Sequence, residues 1–202
     1  MKRELNLRER KKMMARIAIE EAALRLFLEK GYENTSIEDI ANAVVLSPRT
    51  FFRYFASKED VVFASWRDFH DTARSAFEQQ PAGITLYDAL EDIFTQLGEL
   101  HQRRRDHFYL LSRVILTTPE LQPGYLYRMV SIEPLLREFI SKHWGEQYDP
   151  LQIRFIAATT LTAFRVALQC WLEEETHTDL PAIIQAYMAQ LKKGLFLEQT
   201  SS

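Results

Sequence analysis

"SPRTFFRYFASKED", residues 47–60, sets a serine and a proline ahead of four aromatics, Phe51, Phe52, Tyr54 and Phe55, interleaved with Arg49 and Arg53. Ser47 is a good helix N-cap, and Pro48 suits the first turn, where a missing N–H is no loss. In the helix so started, Phe51 and Phe55 are four residues apart and share a face. Pro48, Arg49, Phe52 and Arg53 fall on another. A core helix would not need the arginines, and a solvated one would not want the phenylalanines, so the segment has two jobs.

Working outward, "TSIED" (35–39) opens the preceding helix. Thr35 with Glu38 has capping-box spacing, and Ser36 with Asp39 offers a second register. Before it, a helix is predicted from about Leu7 to Lys30, with Ile17, Ala22, Leu24, Phe27 and Leu28 on its apolar side and Gly31 as its left-handed stop. After it, "SKED" starts another helix at Ser57, running through Val62, Trp66 and Phe69 to about Phe77. Two short helices joined by a few-residue turn and packed on a longer one make a helix-turn-helix. DNA's major groove admits one helix; arginine reads guanine there, while hydroxyls and lysines position phosphates.

Residues 23–62, "ALRLFLEKGYENTSIEDIANAVVLSPRTFFRYFASKEDVV", resemble the DNA-binding domain of the tetracycline-repressor (TetR) family of bacterial regulators. The resemblance rests on Leu26-Phe27, Lys30-Gly31-Tyr32, Thr35-Ser36, Ile40-Ala41, Ser47, Thr50, Arg53-Tyr54-Phe55 and Ser57-Lys58. It implies an all-helical homodimer that binds a palindromic operator in double-stranded DNA. It also implies a C-terminal domain that binds a small-molecule effector. By position, Thr35 and Ser36 would touch phosphates, Arg49 and Thr50 would approach bases, and Tyr54 and Lys58 would hold phosphates. Ser47, Pro48, Phe52 and Arg53 complete the expected DNA-binding set. Two positions depart from the family pattern. Val45 stands where glycine is usual, so a different turn backbone is expected. Phe52 stands where tyrosine is usual, so one phosphate hydroxyl contact is absent.

Composition agrees with an all-α chain of 202 residues, with six glycines, seven prolines and no long alternating stretch. The net charge of −3 hides an asymmetry: residues 1–70 carry +2 and residues 71–202 carry −5. Residues 1–16 alone hold seven Lys/Arg against two Asp/Glu. A basic arm of this kind is either a solvated tail or one end that meets a polyanion. One cysteine excludes an intramolecular disulfide and fits a reducing cytoplasm, and no signal peptide is expected. No Gly-rich phosphate loop, G-x-S-x-G or H-E-x-x-H is present, so a regulator is expected rather than an enzyme. A helical small-molecule carrier is the alternative, but it leaves the arm and residues 47–58 idle.

The proposed domains are 1–60, the helix-turn-helix with its arm, and 61–202, for ligand binding and dimerisation; "QQPAG" (79–83) is a break. Helices are predicted over about 85–103, 107–116, 125–144, 150–174 and 180–196. Leu161, Phe164, Leu168 and Trp171 form one apolar stripe, and Leu180, Ile184, Met188, Leu191 and Leu195 another. They form either a dimer seam, expected at Phe164, Leu168, Trp171, Ile184, Met188 and Leu191, or ordinary intrachain packing. Residues 151–172 are long and apolar enough for a membrane span, but Arg154 and Arg165 argue against one.

Trp66, Phe94, His101, Phe108, Tyr109, Tyr125 and Tyr127 are candidates for a ligand cavity, although such residues are more often plain core. Arg113 and Arg165, among apolar neighbours, need either an internal glutamate or an anionic ligand. "TTPEL" through "AFRVALQCW" resembles a regulator subgroup thought to bind acyl-CoA-like ligands. Cys170 is expected to be buried and inert, "RRR" (103–105) to be a solvated helix end, and the five histidines show no metal-ligand spacing. Neither metal nor cofactor is expected.

Overall fold

The structure, a computed structural model, describes residues 6–173 and 179–194, apart from the side chains of residues 67 and 68. Every regular element among them is helical. Two compact units emerge: the chain up to Arg67 with Asp106–Leu126, and Asp68–Arg105 with the chain from Tyr127 onward.

In the first unit, α1 (Leu7–Lys30) starts at a capping box, in which Asn6 accepts from the Glu9 N–H and the Glu9 carboxylate takes the Asn6 N–H. Its buried face is Ile19, Ala23, Leu24 and Phe27; Ile17 and Leu28, expected inside, are 39% and 37% exposed. Gly31 ends the helix at φ 86°, where a Cβ would be strained. Short helices α2 (Ile37–Ala43), α3 (Pro48–Phe51) and α4 (Lys58–Val62) follow, N-capped by Ser36, Ser47 and Ser57. The expected helix 57–77 is interrupted at Phe63, after which α5 (Ala64–Glu78) begins.

Phe51 and Phe55, at 0% and 2% exposure, sink into a core of Ile19, Leu24, Phe27, Ile40 and Ala41. Truncating either ring to alanine would cost about 3–5 kcal/mol. Val114 and Ile115 of α7 (Arg105–Thr117), and Leu121 in a 3-10 turn, join the same core from far along the chain.

The second unit packs α6 (Leu86–Gln102), α9 (Glu133–Trp144), α10 (Pro150–Glu173) and α11 (Leu180–Lys193). The helix expected over 125–144 is two: α8 (Gln122–Val130) stops, and α9 restarts with Pro134 in its first turn. Proline lacks the N–H that a continuous helix would need there. Gly98 of α6 lets α11 approach: an added Cβ would clash with Ile184 Cδ1 and touch Leu180. Gln102 caps α11 from outside, its Oε1 accepting the Leu180 N–H at 2.6 Å while Nε2 donates to Asp179.

Phe164, Trp171, Ile184 and Met188 are 1–3% exposed within the protomer, and Leu168 is half-buried. For Phe164, Trp171, Ile184 and Met188 the dimer reading is therefore corrected: these four are intrachain core. Of the expected seam residues, Leu191 alone lines an open groove of about 460 Å³. Phe155, Ala158, Thr159, Thr162, Ala163 and Val166 of α10, with Tyr187 and Gln190 of α11, form the rest of its walls. Leu195 and Phe196 lie outside the described residues.

Candidate nucleic-acid interface

Helix α2 ends in a Schellman motif. The Leu46 N–H donates to Ala41 O at 2.8 Å and the Val45 N–H to Asn42 O at 3.1 Å, with Val45 in the left-handed region at φ 56°. The turn thus keeps the conformation glycine favours although it carries a β-branched residue, contrary to the expected change of backbone. The Val45 side chain gains nothing in return, being 93% exposed.

Beyond the turn, Ser47 Oγ accepts the Thr50 N–H at 3.1 Å and shares a 2.9 Å bond with the Thr50 hydroxyl. Hydrogen bonds from Phe52 to Pro48 O and from Phe55 to Phe51 O carry the helical path on to Phe55. This path turns Phe51 and Phe55 inward and leaves Pro48, Arg49, Phe52 and Arg53 exposed, Phe52 by 55%. Neither Arg49 nor Arg53 makes a side-chain hydrogen bond or ion pair among the described residues. A spine of buried rings thus holds two unengaged guanidiniums and an apolar ring outward. Thr50 and Tyr54 are half-buried at its edges.

Three expected contacts are revised. Thr35 is 1% exposed and its hydroxyl bonds to Gly31 O at 2.8 Å and Leu26 O at 3.2 Å, so it secures the end of α1 and is not available to a phosphate. Ser36 is exposed, but its N–H and hydroxyl both donate to Asp39, at 2.9 and 2.6 Å. Those bonds, with Lys30 at 2.9 Å, hold the Asp39 carboxyl below the usual carboxylate range. Lys58 is half-buried; its Nζ donates to Tyr32 O at 2.7 Å and lies 4.5 Å from the Tyr32 ring centroid. Burial, aided by the charges of Glu59, Glu33 and Glu120, pushes the Tyr32 hydroxyl up to about 12. Lys58 thus braces the start of α4 against the end of α1.

Residue-level reading of the sequence missed a concave cleft of about 720 Å³ lined by Leu7, Arg8, Lys11 and Lys12 of α1 together with Arg53 and Tyr54. The excess of positive charge in residues 1–16 was its signal; Lys2, Arg3 and Glu4 of that arm lie outside the described residues.

The expected ligand residues do not form one set. Trp66, Phe108, Tyr109, Arg113 and Tyr125 belong to the first unit, and Phe94, His101, Tyr127 and Arg165 to the second. Neither the cleft nor the groove is lined by any of them. Tyr125 packs against the helix-turn-helix core, whereas Tyr109 and Tyr127 are 44% and 76% exposed. Arg113 is exposed and Arg165 half-buried, bonded to Gln169 at 3.1 Å, so neither is a sealed charge demanding a counter-ion. Phe94 and His101 sit in an aromatic cluster with Phe69 and Phe164, and burial pulls the His101 imidazole down to about 4. Cys170 is half-buried and accepts from the Tyr187 hydroxyl at 3.5 Å. Arg103 pairs with Glu99, while Arg105 lies over Trp171 rather than in solvent.

Comparison with known proteins agrees with this geometry. The family described as "Bacterial regulatory proteins, tetR family" matches residues 19–64, and "MftR C-terminal domain" matches residues 84–196. The HTH-type transcriptional regulator TcmR of Streptomyces glaucescens is 34% identical over 192 residues, 92% of this chain and 84% of TcmR. Among solved structures, the fatty acid degradation regulator FadR from Bacillus halodurans has a TM-score of 0.68 at 20% identity, covering 89% of this chain and 95% of FadR. The FadR repressor of Thermus thermophilus, in complex with lauroyl-CoA, has a TM-score of 0.63 at 20% identity, covering 93% of this chain and 98% of that one.

Proposed function

This chain belongs to the TetR family of bacterial regulatory proteins, and we propose that it binds a palindromic operator as a homodimer and is released by a small amphipathic effector. It is a DNA-binding transcriptional regulator and not an enzyme; the operator, the dimer and the effector are the proposal. The observation that carries DNA readout is the division of residues 47–55 between two buried phenylalanines and an exposed Arg49, Phe52 and Arg53. Arg49 addresses a guanine edge, Phe52 a thymine methyl, and Ser47, Pro48, Thr50, Arg53 and Tyr54 frame the backbone. We assign readout to residues 1–60 and effector and partner binding to 61–202, cytoplasmic throughout.

The test is a gel shift on the DNA upstream of the chain's own gene. Arg49→Ala is expected to cost about 1–3 kcal/mol on the cognate site and much less on random duplex. Equal losses on both would sink the readout.

The groove of α10 and α11 supports the dimer: it is an open, largely apolar surface whose wall includes Phe155, 67% exposed, and Leu151, four residues earlier on α10, is 79% exposed. α10 has the length and composition to cross a membrane. A second copy of the same face covers its apolar side without placing Arg154 and Arg165 in lipid. For the effector, the support is the lauroyl-CoA held by the similarly folded Thermus protein and the subgroup resemblance across α7 to α10. An effector shifts the equilibrium only through tighter binding to the form that cannot hold DNA. Lauroyl-CoA is therefore expected to weaken operator binding by about 1–3 kcal/mol. No binding and no change in affinity would remove the acyl-CoA reading and leave DNA binding standing.

A further inference from the structure

Helix α1 begins at Leu7, well ahead of the segment matched to the family, which starts at residue 19. Those leading turns are largely exposed and bury no side chain before Ile19, although the Arg16 guanidinium lies 4.9 Å from the Phe55 ring centroid. At 1.5 Å per residue they add about 18 Å of helix. Packing therefore does not explain why the exposed turns over residues 7–14 are helical, or why the Asn6–Glu9 capping box fixes their start.

Their charge does offer a reason. Arg8, Lys11 and Lys12 stand at i, i+3 and i+4, one face of the helix, and that face makes one wall of the 720 Å³ cleft. Arg53 and Tyr54, at the end of the recognition helix, make the other wall. Among the described residues, four cations line the cleft and no carboxylate does. The nearby Glu9 is turned to its own capping bond. Among the described residues none of the four cations has a side-chain hydrogen bond or ion pair. Like charges gathered in a concavity repel one another and concentrate anions from solution.

We propose that this cleft is a second grip on duplex DNA, in which Arg8, Lys11, Lys12 and Arg53 hold backbone phosphates and the Tyr54 hydroxyl donates to one of them. The proposal rests on the reading of residues 47–55 as the recognition helix. It is the shared wall that selects DNA over a free anion. Arg53 is exposed both to this cleft and on the face that carries Arg49, so a backbone seated here is the strand beside the groove that α3 enters. The grip is blind to sequence, because phosphates carry none.

The experiment compares the full chain with the triple variant Arg8→Ala/Lys11→Ala/Lys12→Ala, by fluorescence anisotropy, on the cognate upstream duplex and on a random duplex from 0.05 to 0.4 M salt. Alanine keeps the helix, and thermal melting checks the fold. Removing three phosphate contacts should reduce the slope of log affinity against log salt by about 2.7. At about 0.15 M salt that is an affinity loss on the order of 100-fold, equal on both duplexes, so the preference for the cognate site is unchanged. An Arg8→Lys/Lys11→Arg/Lys12→Arg variant, which keeps every charge, should retain the wild-type slope. An unchanged slope in the alanine variant, with cognate binding intact, would overturn the cleft while leaving the recognition helix in place. A loss confined to the cognate duplex would also overturn it, by showing base readout instead. Should wild-type affinity be as high for single-stranded RNA as for duplex, the assignment to duplex DNA falls. A wild-type chain that binds no duplex at any salt overturns the recognition helix and the cleft together.

Discussion

Replacing Val45 by glycine should stabilise this protein, an unusual outcome for a change that removes a side chain. Val45 holds φ 56° in the Schellman turn that closes α2. A left-handed conformation costs an L-residue about 1–2 kcal/mol, and β-branching adds to the crowding. Because the side chain is 93% exposed, its loss forfeits almost no burial. Against the relief stands glycine's greater freedom in the unfolded chain, about 0.5–1 kcal/mol. The balance is a gain of about 1 kcal/mol, or about 2–4 °C in Tm for a chain of this size. Differential scanning calorimetry on Val45→Gly, Val45→Asn and Val45→Ala checks it. Asparagine tolerates the left-handed region and should recover part of the gain; alanine, which keeps its Cβ, should recover little. A Val45→Gly protein that melts below wild type, or an alanine variant that gains as much as glycine, would refute the strain argument.

Gly98→Ala should destabilise by about 1–3 kcal/mol, since the new methyl meets Ile184 Cδ1, which at 1% exposure can move aside only by disturbing its own packing; denaturant melts measure it, with Ile184→Val as the compensating second change. Phe155→Glu, on the open groove, should convert a dimer to a folded monomer by light scattering and circular dichroism. Ile184→Glu should unfold the protomer instead, because that position is core. His101, with its pKa pulled down by burial, binds its proton more readily unfolded than folded. Its contribution is intact above pH about 6.5 and drains as pH falls towards about 4, by up to about 1.4 kcal/mol per pH unit. Stability measured across that range should flatten in His101→Gln.

What could be read ahead of the structure divides along a physical line. The recognition helix was legible because its determinants are local: a serine cap, a proline in the first turn and two rings four residues apart act within one segment. Thr35 shows where locality ends. Thr35–Glu38 and Ser36–Asp39 both fit a capping box, and the choice between them is made by the carbonyls of Leu26 and Gly31, which hold the Thr35 hydroxyl. Tyr125 reads from sequence as a cavity residue because nothing in its neighbourhood shows that residues 106–126 return to pack with the N-terminal helices. The stripes that periodicity offers as a seam between copies fail for a related reason. A periodicity argument selects the largest apolar stripe, but the protomer's own core claims large side chains first. Phe164, Trp171 and Ile184 satisfy α6, α10 and α11 within one chain. What remains for the proposed partner is mainly alanine and threonine with the exposed ring of Phe155 and the half-buried ring of Tyr187, a face that a hydrophobicity scale ranks low. The basic arm followed the same logic in reverse: its charge was plain from composition, but its use depends on Arg53, over forty residues away, forming the other wall of the cleft. Residues that act through their own helix are readable from sequence, whereas those that act through a facing helix acquire their role from the fold.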